Sequence, residues 1–147
     1  MKWSADAWAS SWLFWALGSA AFAALTAIFA KLGVAAIDPD LATFIRVVVI
    51  TLILGLMLIA TGRFEMPAAL PPRAYIFLIL SALATGASWL CYFRALKLGE
   101  ASRVAPIDKL SVVMVAVFAA IFLSERLSSV NWAGIGLITL GAILVAF

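Results

Sequence analysis

The sequence contains no histidine, and Cys91 is its single cysteine among 147 residues. A disulfide within one chain needs two cysteines, and zinc sites are built mainly from cysteine and histidine. We therefore expect neither an internal disulfide nor a metal site, and no motif in the sequence points to a cofactor.

Charged residues are also scarce. They make up 12% of the chain and hydrophobic residues 67%, whereas soluble domains average about 25% and about 45–50%. The net charge of +3 is small and its basic residues are scattered, so nothing indicates nucleic-acid binding. We find no nucleophile–base pair and no phosphate-binding loop, which disfavours an enzyme. The composition is that of a membrane protein.

Five apolar segments are long enough, or nearly so, to cross a bilayer as helices, since about 20 residues are needed. They cover residues 12–33, 41–61, 73–98, 101–124 and 131–147. Turn-forming residues separate them, including the Pro-rich stretch from Pro67 to Pro72. We predict an all-α fold in which residues 1–147 form one five-helix transmembrane domain.

Five spans place the two ends of the chain on opposite sides of the membrane. We call the side on which the first span begins side A, and the side on which it ends side B. Lys and Arg divide almost evenly between the two sides, so the positive-inside rule fixes no orientation. Either the loop charges are too few to indicate the orientation in the membrane, or the protein inserts in both orientations and forms antiparallel pairs.

Asp108 and Lys109 lie about two turns into the fourth span. A charged side chain at the centre of a bilayer costs about 2.5–3.5 kcal/mol on insertion scales, so such residues face protein or water. The Asp108 side chain is too short to reach the interface from that depth. We therefore expect this pair to contact a substrate or to change protonation during a transport cycle.

Two arginines fall in the same half of the bilayer as this pair. Arg46 lies in the second span and Arg94 near the end of the third. Arg94 and Asp108 have similar depths on consecutive helices, which allows an ion pair between them. Arg46 and Arg94 either tune the charge of a site or extend their long side chains to the interface.

Pro106 lies two residues before Asp108 and has two interpretations. Inside a helix it removes one backbone hydrogen bond and bends the chain, and bent helices at membrane depth line cavities. Alternatively, it marks the first turn of a shorter helix. The first interpretation predicts a helix bend beside the site.

The third span carries polar and small residues at helical spacing, among them Ser88 and Tyr92, and Trp89 lies close by. Aromatic walls with a few polar groups are typical of small-molecule sites, so we include these three as substrate-binding candidates. Packing against neighbouring helices is the alternative. A similar ridge of small residues in the first span, Ala16 to Ala27, we interpret as packing only.

Gly134 and Gly141 are seven residues apart in the fifth span and therefore lie on one face of a helix. Small residues at such spacing let a second helix approach closely. The pair indicates either a dimer seam or a contact within the chain.

The end of the fourth span and the fifth span contain Glu125-Arg126-Leu127-Ser128, followed by the Gly-rich stretch from Trp132 to Ala142. These motifs resemble the closing signature of an EamA domain of the drug/metabolite transporter superfamily. Arg46, which follows Ala42-Thr43-Phe44, also resembles the family. The chain is most similar to the short, single-unit bacterial members.

This resemblance implies a multi-pass protein of the bacterial inner membrane that transports small metabolites. Most family members carry two five-helix units, so a single unit needs a second copy, most simply in an antiparallel homodimer. Gly134 and Gly141 also resemble the dimerisation glycines of small multidrug resistance relatives. Those relatives use an acid in their first span, which this chain lacks.

We therefore expect a homodimeric transporter with a small-molecule site near the bilayer midplane. Two alternatives remain open from the sequence. The chain is a small subunit that modulates a larger membrane complex and transports nothing itself, or it exports lipophilic cations like the small multidrug resistance proteins.

Overall fold

The computed structural model describes residues 11–64 and 71–147, which form helices and loops without a strand. The helices are α1 (Trp12–Ala36), α2 (Pro39–Ala60), α3 (Pro72–Leu98), α4 (Ala101–Asp108), α5 (Ser111–Phe122) and α6 (Ser129–Ala146).

The predicted all-α fold with five membrane-spanning segments is confirmed, because five stretches are long and apolar enough to cross a bilayer. One of these segments, the fourth, is divided into α4 and α5. Most of the predicted loop from Pro67 to Pro72 lies outside the described residues. The organisation of residues 1–147 as one domain stays a prediction.

Capping residues fix where two of the helices begin. Asp38 precedes α2, and its Oδ1 atom accepts hydrogen bonds from the backbone N–H groups of Asp40 (2.9 Å) and Leu41 (3.2 Å). Ser128 precedes α6, and its Oγ atom accepts from the N–H of Asn131 at 3.2 Å. Each cap satisfies donors that the first turn of a helix leaves without a partner.

The core lies at the side B end of the bundle. Ala30 and Val34 of α1 pack there with Ala42 of α2 and with Phe93 and Leu96 of α3. Small residues on α1 and α2 let α3 approach closely enough to bury its two large side chains. This packing sets the relative positions of the first three spans on side B.

Two lysines join the ends of α1 and α3 on side B. Lys31 Nζ donates to the backbone carbonyls of Leu96 and Gly99, both at 2.7 Å. In return, Lys97 Nζ donates to the carbonyls of Val34 (2.8 Å), Ala35 (2.9 Å) and Ile37 (3.3 Å). We call this arrangement the lysine clamp.

The lysine clamp supplies hydrogen-bond donors to backbone carbonyls at the ends of two helices. The last carbonyls of a helix have no intrahelical partner, and the C-terminus carries a partial negative charge. Because α1 and α3 run in the same direction and end side by side, each supplies the cation that the other needs. Sequence reasoning counted both lysines only as loop charges.

Most helix surface is left uncovered by the chain itself. In each spanning segment, no more than 11% of the most apolar 18-residue window is buried. α5 packs chiefly against α6 and makes little contact with the first three spans. The uncovered faces are therefore available to lipid or to a second protein.

We predict that breaking the lysine clamp loosens the bundle. Lys31→Met keeps a side chain of similar length but removes its charge, and it leaves two carbonyls without their donor. It should lower the free energy of unfolding by about 1.5–3 kcal/mol, the range for hydrogen bonds to charged groups. Thermal unfolding of the purified protein in detergent measures the change.

Arg63→Met, on the exposed loop after α2, is the matched control and should leave the melting temperature unchanged. Lys31→Met combined with Lys97→Met should cost less than the sum of the two, since each lysine needs the other helix end in place. An unchanged melting temperature for both single variants would contradict the role of the clamp.

Candidate functional site

A cavity of about 180 Å³ lies among four helices, and we call it the central cavity. Its walls consist of Ala23, Thr26, Arg46, Ser88, Trp89, Tyr92, Asp108 and Lys109. Six of the seven residues predicted to bind or couple substrate therefore line one space, although they come from three different spans. Their functional role stays a prediction.

The spacing of these residues along their helices explains why they meet. Arg46 and Asp108 each lie seven residues from the side B end of their helix, a distance of about 10 Å at 1.5 Å per residue. Trp89 lies nine residues from the side B end of α3, or about 14 Å. The three side chains therefore reach the cavity at similar depth.

Asp108 and Lys109 form an ion pair at the cavity wall. Lys109 Nζ lies 3.2 Å from Asp108 Oδ2, and the Asp108 and Lys109 side chains are 34% and 56% exposed, respectively. Consecutive residues of a regular helix do not face each other. They do so here because Asp108 is the last residue of α4.

One tighter turn interrupts the regular α-helix of the fourth span directly after Asp108, while the backbone stays helical through Lys109 and Leu110. Leu110 N–H bonds to the carbonyl of Ile107, and Val112 N–H bonds to that of Lys109, each at 3.0 Å and three residues apart. This tighter pattern separates α4 from α5. Pro106 lies inside α4, so it does not mark the first turn of a helix.

Arg46 lies against aromatic rings. Its guanidinium carbon is 4.3 Å from the centre of the Trp89 ring and 5.6 Å from that of Phe93. Within residues 11–64 and 71–147, no hydrogen bond or ion pair reaches this guanidinium. The side chain is half-buried among helices.

The prediction of an ion pair between Arg94 and Asp108 is wrong. Arg94 instead binds Asp40 in the first turn of α2, with Nε–Oδ1 and Nη2–Oδ2 distances of 3.1 and 2.7 Å. Arg94 is one turn from the end of α3, beside the start of α2, and it does not line the central cavity. Arg94 therefore joins α3 to α2 on side B.

Three larger grooves adjoin the central cavity. One, of about 380 Å³ between α1, α2 and α3, shares Thr26 and Arg46 with it. The other two share Tyr92 with it. Of these, one of about 510 Å³ follows α1 to Pro106 and Lys109, and one of about 420 Å³ runs between α3, α4 and the end of α6. The cavity is thus accessible from more than one face of the chain.

The small residues of α1 border the groove that follows this helix. Its wall includes Ala16, Ser19, Ala20, Ala23, Ala24 and Ala27, of which Ala27 is buried. The interpretation of this ridge as packing stays a prediction. Sequence reasoning missed Thr26, which lines the central cavity. Ser19 and Thr26, seven residues apart on one face of an apolar helix, were the signal.

Gly134 and Gly141 face open space. A methyl group added at either position would meet no atom of the described chain within 4 Å. α6 packs chiefly against α4, and its buried residues are Ala142 and Ala146. The described chain therefore leaves room for a side chain at either glycine, so their face can accept another molecule.

No group of three or more Asp, Glu and Cys side chains in the described ranges lies close enough to hold a metal ion.

Comparison with known proteins agrees with this architecture. Residues 10–147 match the model of a family described as the EamA-like transporter family. A Sinorhizobium protein described as "Uncharacterized transporter in cobO 3'region" is 60% identical over 136 residues, which are 92% of this chain and 96% of that protein. No solved structure matches the chain.

We predict that Arg94 and Asp40 act as one stabilising unit. Arg94→Gln and Asp40→Asn should lower the melting temperature by similar amounts, and the double variant should lower it no further, because each single change already breaks the pair. A double-mutant cycle measures this coupling by comparing the melting temperatures of the unaltered protein, the two single variants and the double variant in detergent. Additive shifts would show that the two side chains stabilise the protein separately.

Proposed function

The chain belongs to the EamA-like transporter family, and on that premise we propose that it carries small metabolites across a bacterial inner membrane as an antiparallel homodimer. Family and fold together support a multi-pass membrane transporter. The substrate site in this proposal is the central cavity, near the bilayer midplane.

The convergence of polar groups at membrane depth carries the proposal. Arg46, Asp108 and Lys109 all line one cavity within apolar spans. Charged side chains at this depth are costly and are retained where they serve a pathway or face water. Ser88 and Tyr92 add hydroxyl groups that can bind a small molecule by hydrogen bonds.

The break between α4 and α5 supports the same assignment. Transporter sites are often formed where a spanning helix is interrupted, because backbone groups freed there can bind a substrate or ion. Pro106 has no N–H, so the carbonyl of Ser102 loses its helical donor. Asp108 and Lys109 lie at this break. There, each side chain can release its partner in the ion pair and bind a substrate instead.

The uncovered surface of the chain supports a dimer. One copy leaves most of its helix faces unburied, and the glycine face of α6 is open. Many transporters consist of two inverted repeats with the substrate between them. A second copy in the opposite orientation would complete such a pair, and the nearly even division of Lys and Arg between the two sides permits both orientations.

The cation-exporter alternative is less well supported. The central cavity holds two cationic side chains and one carboxylate, which is already paired with Lys109. A lipophilic cation would meet net positive charge there.

We predict that Asp108→Asn abolishes transport while membrane insertion and dimerisation persist. The amide has nearly the same shape but cannot hold a negative charge or release a proton. Flux from proteoliposomes loaded with a metabolite panel, with and without a pH gradient, measures the effect.

Asp38→Asn is the matched control, since asparagine caps a helix as well as aspartate does, and it should transport normally. Full transport by Asp108→Asn would remove this carboxylate from the mechanism. Absence of flux in the unaltered protein, together with obligate co-purification of another membrane protein, would favour the subunit alternative.

We also predict that the glycine face of α6 forms the dimer seam. Gly134→Leu and Gly141→Leu should each shift the protein from dimer to monomer, because a large side chain keeps the two helices apart. Cross-linking in membranes and mass measurement in detergent report the change.

Gly136→Leu places the same side chain on another face of α6 and should leave the dimer intact. A paired reporter fused after Phe147 should be active on both sides of the membrane if the dimer is antiparallel. Activity on one side only would contradict the antiparallel arrangement.

A further inference from the structure

We propose that Arg46 binds the anionic group of the transported substrate, so that this protein carries small organic anions bearing a carboxylate or phosphate. This inference rests on the proposed function, because it assigns a substrate class to the same cavity. Neither the family match nor the relative's description names a substrate.

The first observation is that Arg46 has no anionic partner within the described ranges. Other cations of the side B half are engaged: Lys31 and Lys97 bind carbonyls, and Arg94 binds Asp40. Arg103 lies 3.4 Å from Glu100. The guanidinium of Arg46 lies over two aromatic rings and has no hydrogen-bond or ion-pair partner among the described residues, although its half-buried position makes an unpaired charge expensive.

The second observation is the position of the guanidinium. Its central carbon lies over the rings of Trp89 and Phe93, 4.3 and 5.6 Å from their centres. A ring attracts the charge but accepts no ordinary hydrogen bond, so the N–H donors stay available to a ligand. Two parallel donors on a fixed plane match the two oxygens of a carboxylate or phosphate.

The third observation is the charge of the cavity wall. Arg46 and Lys109 contribute two positive charges, and Asp108 contributes one negative charge that Lys109 already neutralises. The remaining positive charge is therefore that of Arg46. A substrate anion would neutralise it, and the Trp89 ring would offer an apolar surface to the rest of the substrate.

A fractionated metabolite extract tests the substrate class even though the transported compound is unidentified. A bacterial small-molecule extract is separated by ion exchange into anionic, neutral and cationic fractions, and each is loaded into proteoliposomes. Mass spectrometry then identifies the compounds released faster than from protein-free liposomes. Carboxylates and phosphates are distinguished by their masses.

We expect release of compounds from the anionic fraction only. Arg46→Gln should slow this release by about tenfold or more, since it removes a charge-assisted bidentate contact. Arg46→Lys should also slow it, because an ammonium group keeps the charge but not the paired donors. Arg63→Gln, an exposed arginine outside the cavity, is the matched control and should release at the normal rate.

A chemical protection measurement on the unaltered protein covers the case in which an Arg46 variant fails to fold. 2,3-Butanedione modifies accessible arginines, and peptide mass spectrometry follows each site. The anionic fraction should slow modification of Arg46 but not of Arg63. The neutral and cationic fractions should protect neither.

The outcomes separate this inference from the proposed function. Release of neutral or cationic compounds that is unaffected by Arg46→Gln would overturn the inference and leave the transporter intact. Protection of Arg46 by anions without release of any compound would support the anion site but overturn transport. Equal modification of Arg46 with and without anions, together with normal anion release by Arg46→Gln, would refute the anion site.

Discussion

The lysine clamp holds the side B ends of two spanning helices together, and the other contacts of the bundle build on it. Helix ends carry carbonyls that must find donors, and the bilayer offers few. By exchanging lysines, α1 and α3 satisfy each other's last turns and fix their separation on side B. α2 is then held by core packing and by the Arg94–Asp40 pair.

The site follows from this tied end. With α1, α2 and α3 fixed on side B, side chains two to three turns inward converge, and the broken fourth span adds Asp108 and Lys109. Towards side A the chain makes few contacts of its own. The helices are therefore well packed beside the candidate site, and their surfaces are uncovered elsewhere. Such uncovered surfaces are what a protein that pairs with a second copy needs.

Much of the candidate site was predictable because depth along a helix can be read from residue count. Residue count alone puts Arg46, Asp108 and Lys109 in the same half of the bilayer, and the cavity brings them together. Direction around the helix axis was harder to predict. Arg94 shares their half of the membrane, but its face of α3 turns towards Asp40, so it does not contact the cavity.

Residue order was enough to predict the number of spans and their approximate ends, since hydropathy and helical rise depend on nothing else. It was not enough to predict which charges pair, that Thr26 and the α1 ridge border open space, or that the fourth span breaks after Asp108. Pairing and the borders of open space depend on the rotation of each helix about its axis. Packing between distant segments sets that rotation, and local sequence does not encode it.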